Sequence, residues 1–242
     1  MLVSCSANAE ATCHLLSSKI LQRTAICTGL FGRATLPAQA RILCSLEEKT
    51  DGRGDRHEGV SHVFQPHEGL KIRFGEIEIP YTELAGAVTL RLNDTLGSHV
   101  LCLYAGTSGD FEGLSEENLE AFRAHMEVPE QCREMGPHVV LIHDVTEFQN
   151  RLIEASKREG FHAMHAGSVQ YYDDDIYSGE IPQPGFWKPR RFAWQRERRF
   201  LFETRGRMSD PGRLDVGSLS DIAAIVDASA LKGGFRFDLP DE

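Results

Sequence analysis

Several features that would identify a class of protein are missing from this chain of 242 residues. It has no run of the roughly 18 to 20 apolar residues that a membrane-spanning helix needs. It also has no glycine-rich phosphate loop, nucleotide fingerprint or Ser/His/Asp nucleophile context. Its six cysteines include no C-x-x-C pair and are too sparse for a disulfide scaffold. The sequence therefore predicts a cytoplasmic protein with reduced cysteines and no membrane span.

The composition predicts a folded and acidic protein. Hydrophobic residues make up 41% of the chain and include 13 Phe, 5 Tyr and 2 Trp, which is ample material for a packed core. We expect one domain over residues 1–242. The net charge of −10 repels nucleic acid on average, so any contact with phosphate requires a local basic patch.

The first 46 residues have an unusual composition, because they contain many small and hydroxylated residues but only one acid, Glu10. A transit peptide has such a composition. We favour instead a helix from about Ala9 to Gln22 and a strand near Arg41 to Leu46, with residues 1–40 only loosely attached to the domain. The sequence leaves open whether this segment is a targeting signal.

Periodicity and turn residues predict an α+β fold with a mainly antiparallel sheet, a few flanking helices and a single domain. Three runs between residues 70 and 105 have strand composition and are expected to form an antiparallel meander. Residues 47–69 show neither the strand nor the helix period and predict a long surface loop. The predicted strands cover residues 70–79, 87–92, 100–105, 139–142, 168–172, 192–202 and 214–216.

Helices are predicted in three further places. Thr146 and Gln149 have the spacing of a capping box, and Gly160 is expected to end the helix that follows. Phe148 and Leu152 should face inward from it, because they lie one turn apart. The predicted helices run from Ser115 to Glu127, from Thr146 to Gly160 and from Ser220 to Ala228.

The longest predicted strand, Phe192 to Phe202, contains the residues with the clearest chemical potential. Side chains alternate along a strand, so Gln195, Glu197 and Arg199 should share one face at spacings of about 7 Å. They form either a polar trio in a cleft or an internal salt bridge. Arg196 and Arg198 lie on the opposite face, and both should pair with acids from elsewhere in the chain if that face is covered.

The segment FWKPRRFAWQRERRFLF, residues 186–202, resembles the C-terminal signature of a bacterial protein family that carries no assigned activity. In that signature a lysine precedes an aromatic residue, a Gln or Glu, a Glu two positions further on, and an Arg. The upstream GDRHEG, residues 54–59, is similar to a second element of the same family. We therefore expect the 54–59 loop to pack against the strand that carries Glu197.

The Gln195-x-Glu197 spacing is also similar to that of ADP-ribosyltransferases of the arginine, serine, glutamate class. That resemblance implies NAD as the ligand, with Glu197 stabilising an oxocarbenium-like transition state and Gln195 orienting the acceptor nucleophile. Arg41 and Ser45 are only loose counterparts of the arginine and serine of that class, and the chain has no Ser-Thr-Ser. The catalytic candidates are Glu197 and Gln195; the substrate-binding candidates are Arg199, Arg56, Asp55, Glu58 and Lys188.

Two other groups contain residue types that bind metal ions, but their spacing is not that of a metal-binding motif. His57, Glu58 and His62 do not follow the His-Glu-x-x-His pattern, because three residues separate Glu58 from His62. The acids at 173–175 point in alternating directions and are expected to form a solvated turn. We therefore expect no metal site.

Two further functions remain open beside a transferase that acts on a nucleotide ligand. Residues 188–213 contain nine basic residues and three acids, so this segment carries about +6 and the remainder about −16. Such a segment suits a module that binds phosphate or nucleic acid, provided that its arginines lie exposed on one ridge. A non-catalytic interaction protein would instead need an exposed apolar patch.

Overall fold

The computed structural model describes residues 12–14, 24–28, 57–92, 98–134, 136–203, 214–233 and 235–238. Several predictions fall outside these residues. They are the strand near Arg41 to Leu46, which includes Ser45, and the site candidates Asp55 and Arg56. The last three basic residues of the 188–213 segment, Arg205, Arg207 and Arg213, also lie outside them.

Fifteen strands are present in the described part of the chain. They are β1 Thr12–His14, β2 Thr24–Thr28, β3 His62–Phe64, β4 Lys71–Phe74, β5 Ile77–Pro80, β6 Val88–Leu90, β7 His99–Gly106, β8 His138–Ile142, β9 Ala163–Ser168, β10 Gln170–Tyr172, β11 Gly179–Glu180, β12 Trp187–Pro189, β13 Glu197–Glu203, β14 Ala223–Asp227 and β15 Arg236–Asp238.

The α-helices of the described residues are α1 Leu119–Met126, α2 Glu130–Arg133 and α3 Val145–Arg158. Short 3-10 helices cover Tyr81–Glu83, Pro184–Phe186, Arg190–Gln195 and Ala228–Gly233. None of the described helices combines the length and the apolar character that crossing a bilayer requires.

A six-stranded sheet in the order β14-β8-β2-β7-β13-β9 forms the centre of the fold. Every neighbouring pair in it is antiparallel. The smaller sheets are β11-β3-β6, β4-β5, β1-β15 and β10-β12, of which only the last two are parallel. The prediction of an α+β fold with a mainly antiparallel sheet is thus confirmed.

Helix α3 covers one face of this sheet. Phe148 and Leu152 are fully buried and, as predicted, face inward. The Phe148 ring meets that of Phe200 edge to face, with 6.1 Å between the ring centroids. Phe200 and Phe202 alternate with Arg199 along β13, so one face of this strand joins the main core and the other points away from it.

The second face of β13 is covered by a turn and by short secondary-structure elements. The 57–61 turn and the 184–195 segment lie against it, since Arg199 reaches both Glu58 and the carbonyl oxygen of Gly185. A Cβ at Gly185 would come within 2.3 Å of the Leu201 side chain, so any other residue there would require Leu201 to shift. This layer, which consists of a turn, two short 3-10 helices and strand β12, covers Glu197 and Arg199.

Three predictions for the strands are wrong. Residues 70–79 form the hairpin β4-β5, turned at Gly75, and β6 and β7 belong to other sheets, so these four described strands do not form the expected meander. Leu214 and Val216 are buried in the core, but their backbone joins no ladder. Part of the predicted 47–69 loop is strand β3, because β6 and β11 supply hydrogen-bonding partners on both sides of it.

The predicted helices also need correction. Strand β1 lies inside the predicted helix from Ala9 to Gln22, and β14 replaces the one from Ser220 to Ala228, because β15 and β8 offer backbone partners there. The helix expected from Ser115 begins only at Leu119, since Asn118 bonds the backbone at residue 115 and holds a turn.

The limits of α3 agree with the prediction only at its C-terminal end. Its N-cap is Asp144, whose carboxylate accepts a hydrogen bond from the backbone of Glu147, so the capping box at Thr146 is wrong. Gly160 follows the helix with φ 78°, a conformation that glycine adopts without strain.

Candidate functional site

Five of the predicted site residues meet on the second face of β13. We define the charged cluster as Glu58, Lys188, Gln195, Glu197 and Arg199. Glu197 and Arg199 come from β13, Lys188 from β12, Gln195 from the end of the 190–195 helix and Glu58 from the turn before β3. Two carboxylates, one lysine and one arginine give the cluster no net charge.

The ammonium of Lys188 joins Gln195 to Glu197. Its Nζ donates to Oε1 of Gln195 at 2.6 Å and to Oε1 of Glu197 at 2.7 Å. The same ammonium lies 4.7 Å from the centroid of the Phe192 ring, a cation–π distance. Lys188 is thereby held between a carboxylate, an amide oxygen and an aromatic face.

The guanidinium of Arg199 joins the two carboxylates. Its Nε donates to Oε2 of Glu197 at 2.6 Å, while Nη1 and Nη2 donate to the two oxygens of Glu58 at 2.5 and 2.9 Å. Nη1 also donates to the carbonyl oxygen of Gly185 at 2.9 Å. The predicted contact between the 54–59 loop and the strand of Glu197 is thus present at Glu58, whereas Asp55 and Arg56 lie outside the described residues.

All of these charges are removed from solvent. The side chain of Arg199 is 0% exposed, and those of Glu58, Lys188 and Glu197 are 5%, 6% and 9% exposed. Because water does not screen charges at such depth, the cluster depends on internal pairing, and removing one member leaves another uncompensated.

Glu197 stays ionised in this setting. Burial by itself would raise the pKa of its carboxyl group, but the positive charges of Arg199 and Lys188 and their hydrogen bonds outweigh burial and lower the pKa to about 2. At neutral pH Glu197 is therefore a carboxylate, which suits electrostatic stabilisation of positive charge and not general acid catalysis.

Two neighbours of the cluster were not predicted. The Tyr171 hydroxyl accepts a hydrogen bond from the backbone nitrogen of Glu197 at 2.9 Å, and burial raises the pKa of Tyr171. Cys102 pairs with Arg199 in the ladder between β7 and β13, and burial raises the pKa of its thiol. Tyr171 also stands opposite Lys188 in the β10-β12 pair, a relation between distant segments that no local sequence pattern reveals.

The prediction that Gln195 shares a strand with Glu197 and Arg199 is wrong. Residues 190–195 form a 3-10 helix, and Arg196 follows with φ 40° and ψ 49°, in the left-handed region. Strand β13 begins only at Glu197. Gln195 still reaches the cluster, because this turn directs its side chain toward Lys188.

Arg196, which directly precedes Glu197, lies against neutral groups. Arg196 donates to the backbone carbonyl oxygen of His125 and lies 3.5 Å from the Tyr104 hydroxyl, so the acid partner expected for it is replaced by neutral oxygens. Arg198 is buried, lies 3.4 Å from Oε1 of Gln149 and faces the ring of Phe200.

The basic segment does not form an exposed ridge over its described part, residues 188–203. Lys188, Arg198 and Arg199 are buried. Arg190 and Arg191 are paired with the acids of the 173–175 turn: Arg190 lies 3.7 Å from Asp173, and Arg191 contacts Asp174. The geometry that a nucleic-acid-binding strand would need is therefore not found among these residues.

Among the described residues, no group of three or more His, Cys, Asp or Glu side chains has the geometry to hold a metal ion. The Asp173 carboxylate instead accepts a hydrogen bond from the backbone of Asp175, which closes a turn.

Comparisons of this chain with protein-family models, with curated proteins and with solved structures found no match.

Proposed function

We propose that the charged cluster is the functional centre and that the protein is a nucleotide-ligand transferase of the ADP-ribosyltransferase type, with NAD as the ligand. The observation that carries this proposal is the junction at β13. Glu197 begins a central strand, Gln195 ends the turn before it, and one ammonium binds both. A Gln-x-Glu pair at a loop-to-strand junction is what the sequence resemblance implies.

The chemistry requires an ionised Glu197. In this reaction the bond between nicotinamide and C1′ of the ribose breaks, its electron pair leaves with nicotinamide, and C1′ gains positive charge. A carboxylate that stays deprotonated stabilises this charge, and it does so more strongly in a site without water. The acceptor nucleophile then bonds to C1′ and its proton passes to bulk water, while Gln195 orients the nucleophile.

The arrangement also predicts what NAD must displace. Lys188 occupies Oε1 of Glu197, beside which the positive charge of the ribose would develop. Ligand binding therefore requires the ammonium to move away, and a displaced Lys188 can bind a phosphate of the ligand. Arg199 remains bound to Glu58 and Glu197, so its role is to hold the carboxylates in place.

Calorimetry with NAD and chromatographic measurement of nicotinamide release test the proposal, with water as the simplest acceptor. The decisive variant combines Lys188→Met with Glu197→Gln, because it removes one cation and one anion together. It leaves the Glu58–Arg199 pair intact, and such neutral replacement of a buried pair is often well tolerated. Lys71→Met with Glu78→Gln is the matched control on an exposed pair.

We expect the wild-type protein and the Lys71/Glu78 control to bind NAD, and the folded Lys188/Glu197 double variant to lose nicotinamide release. Absence of NAD binding by the wild-type protein would refute the proposal. So would a Lys188/Glu197 variant that keeps wild-type NAD turnover, since the cluster would then serve the fold alone.

A further inference from the structure

The residue between Gln195 and Glu197 has a backbone conformation that its side chain disfavours. Arg196 has φ 40° and ψ 49°, and among the described residues no other non-glycine has a positive φ. In this region the Cβ of an L-residue approaches the following carbonyl oxygen, which is why glycine and, less often, Asn or Asp are found there. Strain of this kind is concentrated at functional sites and persists where surrounding contacts enforce it.

Contacts fix Arg196 at both its backbone and its side chain. Its backbone nitrogen donates to the carbonyl oxygen of Ala193 at 3.1 Å, and its own carbonyl oxygen accepts from Ala105 of β7 at 3.0 Å. The guanidinium donates to the carbonyl oxygen of His125 in the last turn of α1. A cation at the C-terminal end of a helix is favourably placed, because the exposed carbonyl groups carry negative charge.

The left-handed conformation determines where the two candidate residues point. It ends the 190–195 helix and begins β13 within one residue, so that Gln195 and Glu197 accept hydrogen bonds from the same ammonium. In a regular strand these two side chains would stand side by side about 7 Å apart. Strand geometry alone would therefore not bring both of them to one ammonium group.

We propose that Arg196 is a positioning residue: its left-handed backbone, anchored on β7 and on the end of α1, holds Gln195 and Glu197 together on Lys188. Arg196 acts through its neighbours and does not touch the ligand. The consequence for catalysis rests on the proposed function, whereas the geometric consequence can be measured without any ligand.

Variants that differ in their tolerance of a positive φ test this role. Arg196→Gly and Arg196→Asn accept the left-handed region and remove the guanidinium, while Arg196→Ala and the β-branched Arg196→Val disfavour it increasingly. Two readouts apply to each folded variant. The first is whether the Glu197 carboxyl titrates between pH 3 and 6, followed by carboxyl carbon NMR and assigned with Glu197→Gln; a carboxyl that keeps its low pKa does not titrate there. The second is the affinity for NAD.

We expect the Gly and Asn variants to keep the low pKa of Glu197 and wild-type NAD affinity within about threefold. The Val variant should show the pKa rising toward the ordinary 4.5 and NAD affinity falling about tenfold, with Ala between them. Equal loss in the Gly and Val variants would overturn the inference, because the guanidinium and not the conformation would then matter. Unchanged pKa and affinity in the folded Ala and Val variants would overturn it as well.

The two proposals fail in different ways. If wild-type protein does not bind NAD but the pKa of Glu197 still follows the order Gly, Asn, Ala, Val, the proposed function is wrong and the positioning role stands. If wild-type protein binds NAD and no substitution at Arg196 alters binding or the pKa, only the positioning role is wrong.

Discussion

Glu197 and Glu78 each accept hydrogen bonds from one lysine and one arginine, yet they lie in opposite environments. Lys71 and Arg73 bind Glu78 across the β4-β5 hairpin at 2.8 Å each, with side chains that are 56% and 72% exposed. Lys188 and Arg199 bind Glu197 at 2.7 and 2.6 Å, with side chains that are 6% and 0% exposed. Residue types and distances are nearly the same in the two trios, so the trios differ in burial and not in pairing.

Burial determines how strongly each charge depends on its partners. We call Lys71, Arg73 and Glu78 the hairpin trio and Lys188, Glu197 and Arg199 the buried trio. Water and salt screen the hairpin trio, so each of its charges is tolerated alone. In the charged cluster no water compensates a missing partner, so every charge depends on the others. The hairpin trio can lose a member at little cost, whereas the charged cluster is a place where a ligand or a mutation has a large effect.

The largest difference in stability between the two regions is expected when the arginine of each trio is replaced. Arg199→Met keeps much of the side-chain volume but leaves Glu58 and Glu197 without their shared cation, and we expect the free energy of unfolding to fall by about 3–5 kcal/mol. Urea denaturation measures it, and Arg73→Met is the matched control, expected to unfold like the wild type. Equal effects of the two variants would show that burial does not make Glu197 more dependent on its arginine than Glu78.

Acid should act on the buried trio through Glu197. Its pKa is lowered from 4.5 to about 2 in the folded state, so its contribution is present above pH 4.5 and is lost as the pH falls toward 2. At about 1.4 kcal/mol for each pH unit, this is about 3 kcal/mol of stability. We expect Glu197→Gln to lack this part of the acid-induced loss when unfolding is measured at several pH values.

The control for that titration is Glu78→Gln. Hydrogen bonds from Lys71 and Arg73 lower the pKa of Glu78 as well, but solvent screens them, so this variant should follow the wild-type curve closely. A wild-type curve that is flat between pH 4.5 and 2.5 would contradict the assignment of a low pKa to Glu197.

The apolar side chains of the two regions differ in the same way. Phe74 and Ile77 form a cross-strand pair on the hairpin and are 67% and 66% exposed, whereas Phe200 of β13 is fully buried. Phe200→Ala should cost about 3–5 kcal/mol of stability, while Phe74→Ala should stay within about 0.5 kcal/mol. Thermal and urea unfolding of the two variants measure the contrast, and a large loss in Phe74→Ala would show that the hairpin is packed in solution.

The smallest expected effect is that of salt. Raising NaCl from low concentration to about 1 M shortens the screening length from tens of ångströms to about 3 Å. The stability difference between wild type and Glu78→Gln should then vanish, while that between wild type and Glu197→Gln should remain. Equal salt sensitivity of both differences would indicate that water reaches the charged cluster.

Much of this arrangement was accessible from the sequence because it depends on local patterns. The α+β class, the inward face of α3 and the contact of the 54–59 loop with the strand of Glu197 followed from periodicity and from the resemblance. Predictions failed where a partner from elsewhere in the chain decided the structure. Residues 223–227 form strand β14 because their backbone pairs with β8 in an antiparallel ladder, although their composition also suits a helix.

For the candidate site, the sequence by itself determined which residues carry charge and that Glu197 and Arg199 share a face, because alternation along a strand is a local property. Only the tertiary structure decided that Lys188 binds both Gln195 and Glu197, that Glu58 binds Arg199 and that Arg196 adopts a left-handed turn. These features depend on burial and on contacts between segments up to 141 positions apart, which no local pattern encodes.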